Sequence, residues 1–348
     1  MRSGDFKERT AQLIVLNDSR VAWAWAAASL GALVVAPYAL NAYHLSLLIV
    51  ILITGTGALG LHVLTGSTGL ISLGHVGFLV AGAYAYAVSV TRYGWSPLVG
   101  FALAGLVPTA VSLVVGIPSL RLKGLYLAIT TLAFASIINY FVLELDWLTS
   151  GARGMAVPRP TIAGVAFDSE PRFALLCLLV AVVTLFAVLN IERSRVGRAF
   201  RAIRDNDIAA RAMGISLYAY KLRAFMTSAF ICGIAGALFG LYLSFVSIES
   251  FPFMMSIEAL AILIVGGLGS TLGAVIGTAF IVLLPELSRL ALGLIGTQAK
   301  ALLSTGAYEL RTILYGVAII LFLRFEPRGV VGVWRDAKRL WVQWPLRY

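Results

Sequence analysis

The sequence predicts an all-α, polytopic integral membrane protein of about ten transmembrane or re-entrant helices, with both termini cytoplasmic. Three observations predict it. Of the 348 residues, 60% are hydrophobic and 12% charged, whereas soluble domains carry about 25% charged residues. The apolar residues fall in runs long enough to span a bilayer at about 1.5 Å per residue. The basic residues, which set the net charge of +11, gather in alternating loops, as topology requires.

Residues 1–20 are polar and mixed in charge, without the apolar stretch and small-residue cleavage site of a signal peptide, and read as a cytoplasmic segment. The transmembrane domain is expected over 21–325. Its spans are placed at 21–40, 45–63, 69–90, 98–117, 124–145, 173–191, 222–247, 255–268, 271–286 and 309–325. The run 255–268 is too short to cross alone unless it is extended or re-entrant. The chain's 34 glycines suit helices that approach closely in lipid. Residues 326–348 form a basic cytoplasmic tail.

Ten spans place 1–20, 64–68, 118–123, 192–221, 269–270 and the tail on one side, and those segments hold most of the Lys and Arg. The positive-inside rule makes that side cytoplasmic. The charge therefore reads as topology, not as nucleic-acid binding. The longest loop on the opposite side, 146–172, is rich in Gly and Pro. The longest loop on the basic side, 192–221, reads as two helical segments. Val196, Phe200 and Ile203 fall at helical spacing; Asp205, Asn206 and Asp207 offer capping oxygens for a helix over 208–213, and Gly214 ends it.

The chemistry is as much in what is missing. There is no Gly-x-x-x-x-Gly-Lys-Ser/Thr phosphate loop, no His-Glu-x-x-His and no Gly-x-Ser-x-Gly, so neither ATP binding by this chain nor an intramembrane enzyme has support. Cys177, Cys232, His44, His62 and His75 form no metal spacing. The carboxylates and cation Glu144, Glu249, Glu258, Glu286, Glu309 and Arg311 lie near span ends and read as anchors or caps, which disfavours an ion-coupled carrier. Glycine clusters over 55–82 and 266–277. The first cluster suits either a broken helix lining a solute path or close helix packing; the second favours packing. Candidate path residues are Gly66, Gly69, Ser72, Gly74, His75, Phe78, Gly266 and Gly267. Of these, Ser72 and His75 are placed to touch a solute or a neighbouring helix. The basic loop is either an anchor for anionic lipid or a transmitter helix docking into a partner; its ordered caps, alanines and glycine favour the second.

The stretch Gly197-Arg-Ala-Phe-Arg-Ala-Ile-Arg-Asp-Asn-Asp-Ile-Ala-Ala-Arg-Ala-Met-Gly-Ile215 resembles the coupling segment of the branched-chain amino acid ABC transporter permeases, M-type in particular. Thr65-Gly-Ser-Thr-Gly-Leu-Ile-Ser-Leu-Gly-His-Val-Gly-Phe78, Leu148-Thr-Ser-Gly-Ala-Arg-Gly-Met155 and Val265-Gly-Gly-Leu-Gly-Ser-Thr-Leu-Gly-Ala274 are similar to three more segments of that family. Ser150, Arg153 and Ser270-Thr271 depart from its usual pattern. The resemblance implies a permease subunit of an importer in a bacterial or archaeal cytoplasmic membrane. Its implied solute is a branched-chain amino acid; urea and short amides are alternatives within the family. The implied partners are a second, homologous permease, two cytoplasmic ATPase subunits that hold ATP and Mg, and an extracytoplasmic solute-binding protein; this chain would hold no cofactor or metal. The implied coupling residues are Arg204, Asp205, Asn206, Asp207, Ala209, Ala210 and Gly214. Outside that family, an autonomous channel or secondary carrier and a membrane enzyme are the competing classes.

Overall fold

A computed structural model describes residues 20–120, 122, 124–162, 164–293, 307–326 and 329–343. The expected N-terminal segment, save Arg20, and the last five residues of the tail lie outside the described residues. The helices of the first half are α1 (Arg20–Ala39), α2 (Ala42–Leu61), α3 (His75–Ala87), α4 (Pro97–Ser119), α5 (Leu125–Glu144) and α7 (Glu170–Arg193), with a four-residue turn α6 (Asp146–Thr149) before α7. Two short helices follow, α8 (Arg195–Asp205) and α9 (Asp207–Ala212). Then come α10 (Leu217–Leu243), α11 (Met254–Gly266), α12 (Thr271–Gly293), α13 (Ala307–Phe325) and α14 (Gly329–Gln343).

Among the described residues, six segments are long and apolar enough to cross a bilayer: 42–66, 97–119, 125–144, 170–193, 217–243 and 248–266. Helices also stand at the four other expected runs, as α1, α3, α12 and α13. Two boundaries differ from expectation in an informative way. The run expected at 45–63 continues to Gly66 through a π-helical turn, His62–Gly66, and the run expected from 69 becomes helical only at His75. Residues 69–74 are therefore a break. Hydropathy could not place it, because Gly, Ser, Leu and Ile suit either state. α11 has 13 residues, about 20 Å, against a hydrocarbon core of about 30 Å; the 3-10 turn Ile248–Ser250 precedes it.

α10 is the centre of the packing, in contact with α2, α3 and α4. Its small residues explain how close it comes. A Cβ at Gly236 would lie 2.0 Å from the Leu79 carbonyl oxygen, and one at Gly233 would lie 2.0 Å from the Ala104 carbonyl oxygen. Where lipid is as apolar as the side chains, such backbone-to-backbone contact supplies the association. The late glycine cluster packs α11 on α12 in the same way: a Cβ at Gly266 would meet the Gly273 carbonyl oxygen at 1.9 Å. By contrast α5 stands off from α4, leaving an apolar groove of about 570 Å³ lined by Val111, Val115, Phe134 and Ile138 among others.

Glu258 departs from the anchoring role expected of the carboxylates near span ends. It is buried, and the Tyr315 hydroxyl donates to it at 3.0 Å, joining α11 to α13. The side chains of Glu309 and Arg311 lie outside the described residues. The loop 146–172 is more ordered than its Gly and Pro content suggested. Met155–Ala156 (β1) pairs antiparallel with Phe245–Val246 (β4), just beyond α10, and Thr161–Ile162 (β2) pairs with Val165–Ala166 (β3). Arg159 pairs with Glu170 at 2.7 Å and stands 5.3 Å over the Phe173 ring.

A substitution tests the packing. Gly236→Val should lower the unfolding midpoint of the detergent-solubilised protein by an overpacking cost of roughly 1–3 kcal/mol or more. Gly31→Val should leave that midpoint unchanged, since a Cβ there meets nothing within 4 Å. Thermal unfolding followed by size-exclusion recovery distinguishes them.

Candidate functional site

The two short helices of the 192–221 loop are built by local hydrogen bonds. Ser194 Oγ accepts from Val196 N and Gly197 N at 3.1 and 3.4 Å and starts α8. α8 is amphipathic: Gly197, Ala199, Phe200 and Ile203 are buried, and Arg198 and Arg201 are exposed. Phe200 stands edge-on to Tyr220 at the start of α10. Of the three capping candidates, Asn206 does the work. Its side-chain oxygen accepts from Ile208 N and Ala209 N at 3.0 Å each, in an extended conformation that breaks α8 from α9. Asp207 opens α9, where a negative side chain suits the helix N-terminus. Gly214 follows with φ +81, the left-handed conformation that closes a helix. Ala210 is buried against the fold, while Ala209 is exposed. Ile208 and Met213 are 75% and 84% exposed.

Arg204 faces the other way. Its Nη1 donates to the Gly66 carbonyl oxygen at 2.8 Å, and its Nε and Nη2 reach Asp205 Oδ1 at 3.4 Å. Gly66 ends the π-helical turn of α2. Two glycines make room for the guanidinium: a Cβ at Gly69 would lie 3.1 Å from Arg204 Cγ, and one at Gly269 would lie 2.1 Å from Arg204 Nη1. Both also hold positive φ, +74 and +84. The basic loop and the turns of both glycine clusters thus meet at one side chain. The turn 267–270 is also met by the last helix: a Cβ at Gly329, which opens α14, would lie 2.4 Å from Gly267 N.

Beside this junction lies a polar cluster that sequence reasoning missed. His62 is fully buried, with its Nε2 2.7 Å from Glu192 Oε1 and 3.5 Å from Thr271 Oγ1. Arg201 donates to the Glu192 carbonyl oxygen at 2.9 Å. Gly66 is required here as well, since a Cβ would lie 2.3 Å from His62 Nδ1. One signal was available. His62 and Glu192 end two runs that the charge pattern brings to the same side, and polar groups at equal depth find each other.

The remaining candidates lie deeper. Ser72 is buried and its Oγ accepts from Gly74 N at 3.3 Å. Leu73 N donates to Thr131 Oγ1 and Val76 N to Ser256 Oγ, each at 3.0 Å. Gly74 runs against α5, where a Cβ would lie 2.7 Å from the Thr131 carbonyl oxygen. His75 Nδ1 is 3.3 Å from Cys232 Sγ on α10. The Phe78 ring packs between Phe134 and Phe225, with centroids at 5.3 and 5.6 Å. The structure thus brings Gly66, Gly69, Arg204 and the 267–270 turn together at the loop end. It places Ser72, Gly74, His75 and Phe78 among the helices.

Comparison with known proteins agrees over most of the chain. The family model for the permease component of the branched-chain amino acid transport system matches residues 43–323. The LivM permease protein of the high-affinity branched-chain amino acid transport system of Salmonella typhimurium is 33% identical over 306 residues, 81% of this chain and 68% of that protein. LivM of Escherichia coli is 32% identical over the same shares. The LivH permease protein of Salmonella typhimurium is 27% identical over 203 residues, 56% of this chain and 61% of that one. No solved structure matches significantly.

The polar cluster yields a test. Removing one partner of a buried hydrogen bond leaves the other unsatisfied at a cost of about 1–3 kcal/mol, and less here because the Glu192 side chain is 24% exposed. His62→Ala and Glu192→Ala should each lower the unfolding midpoint, and the double variant should lose clearly less than the sum. Additive losses would show that the two side chains act separately.

Proposed function

We infer function from one premise: the chain belongs to the family of branched-chain amino acid transport permeases, and it is a permease subunit of an ATP-binding-cassette importer. It carries a small amino-acid-like solute, a branched-chain amino acid, across the cytoplasmic membrane. LivM and LivH are two permease proteins with branched-chain amino acid transport in their names, and a pairing of this chain with a second, homologous permease follows that pattern. Two ATPase subunits with their ATP and Mg dock on the side of the basic loop, the cytoplasmic side. A solute-binding protein delivers from the other.

The observation that carries the coupling role is the state of α9. It is a short helix, capped at both ends by Asn206 and Gly214, seated on the fold through Ala210, and it turns Ile208 and Met213 outward. Exposed apolar side chains on a rigid, capped element fit a groove on a partner rather than free solvent. A lipid anchor would need the charge but not the caps. Arg211 of α9 and Arg198 and Arg201 of the preceding α8 are exposed and would steer the loop toward an acidic docking surface.

Co-purification of the tagged chain with its ATPase subunits, followed by solute-stimulated hydrolysis in liposomes, tests this reading. Wild type should bring the ATPases down and import solute only with ATP. Ile208→Asp combined with Met213→Asp should cut ATPase recovery by about tenfold or more, as expected for desolvated anchor residues at an interface, while leaving the chain folded. Passage of solute by the isolated chain without ATP would replace the importer reading with a channel.

A further inference from the structure

We propose that Arg204 is the positioning residue that carries movement of the docking helix into the membrane helices, by holding the two glycine turns that end α2 and α11. The inference rests on the importer reading and goes beyond it, because it assigns transmission to one side chain that faces away from the docking surface.

Arg204 lies in the last turn of α8, next to the Asp205–Asn206 joint that begins α9. A displacement of α9 therefore reaches Arg204 across a joint of two residues. The guanidinium has its donors spread across two elements: Nη1 on the Gly66 carbonyl, and Nε with Nη2 on Asp205. A rigid planar fork fixes two separated bonds in one geometry, which a compact, rotatable ammonium does not. The acceptor is itself significant. Gly66 lies in the last turns of α2, where carbonyls run out of partners within the helix and carry its negative end. Directly beyond it, residues 69–74 leave the helix and lead into α3.

The second turn is held by shape. Gly269 presses on the guanidinium from the α11–α12 connection, and no side chain fits between them. The connection has its own internal bonds, Ser270 N to the Gly267 carbonyl and Gly273 N to Ser270 Oγ, so it moves as a unit. Behind it, α11 and α12 are joined backbone to backbone at Gly266 and Gly273. One residue thus touches the ends of both helix pairs, α2–α3 and α11–α12. Of the remaining ties from α8, Arg198 and Arg201 bond back to carbonyls at the end of α7, and Phe200 and Ile203 are apolar and non-directional; the bond of Arg204 is the one that reaches a glycine turn.

The test uses the whole importer in liposomes and reads solute imported per ATP hydrolysed, with ATPase subunit recovery measured alongside. Arg204→Gln should still recover the ATPase subunits but lower the import ratio by about tenfold or more, the effect of losing one charge-assisted hydrogen bond. Arg204→Lys, which keeps the charge and N–H donors but not the planar fork, should restore part of the ratio; a purely space-filling role would not distinguish Lys from Gln. Gly269→Asn, a residue that tolerates the left-handed turn, should also lower the ratio, by crowding the guanidinium. In an Arg204→Ala background the same Gly269→Asn change should add little. The proposal is overturned if Arg204→Gln keeps the wild-type ratio, if its main effect is loss of the ATPase subunits, or if the Gly269 and Arg204 effects simply add. Import without ATP by the wild-type assembly would instead remove the importer reading beneath it, a result visible before any variant is made.

Discussion

Backbone groups that leave a helix away from water must find partners inside the protein. The break at residues 69–74 is held in this way, while the turn at 267–270 closes partly in the open. The first break is met from three directions: Thr131 of α5 accepts from Leu73, Ser256 of α11 accepts from Val76, and Ser72 accepts from Gly74. Just before the break, Arg204 of α8 takes the Gly66 carbonyl. The second break closes on Ser270 and its own backbone. The breaks thereby determine which helices must be neighbours. They also explain why isolated polar residues recur in otherwise apolar segments.

Glycine plays two distinct parts in meeting this constraint. At 233, 236, 266 and 273 it removes side chains so that helices touch through their backbones. At 69 and 269 it supplies a left-handed turn and leaves space for a guanidinium. The two parts are coupled. Close approach of α11 and α12 fixes the position of their connecting turn, and the position of that turn decides whether Gly269 meets Arg204.

Much of the helical layout was legible because an apolar run of spanning length has few alternatives. The ordering of the 192–221 loop was legible too, since caps act on residues two or three positions away; only the choice of Asn206 over its two aspartate neighbours needed coordinates. What stayed hidden was long-range. Arg204 and Gly66 are 138 positions apart, and nothing local to either announces the other. His62 sits at the end of an apolar run, where one polar residue barely lowers the mean hydropathy and nothing says what it faces. Two-residue strands such as Met155–Ala156 and Phe245–Val246 are too short to show any alternation. Among the candidates along the expected path, Ser72, His75 and Phe78 were recognisable as places where something is touched. What each touches depends on α5 and α10, which the sequence brings in only much later.

The contacts of α10 also set where the molecule is stiff. Gly233 and Gly236 meet carbonyl oxygens of α4 and α3 directly, with no side chain between them that could swing aside. These three helices can change relation only by separating, at the loss of all their mutual contacts, and so they behave as a single solid. Packing is looser beside α5, which stands over an apolar groove. In mechanical terms α3, α4 and α10 make a stiff frame, and the arginine of the basic loop bears on the turns at its edge.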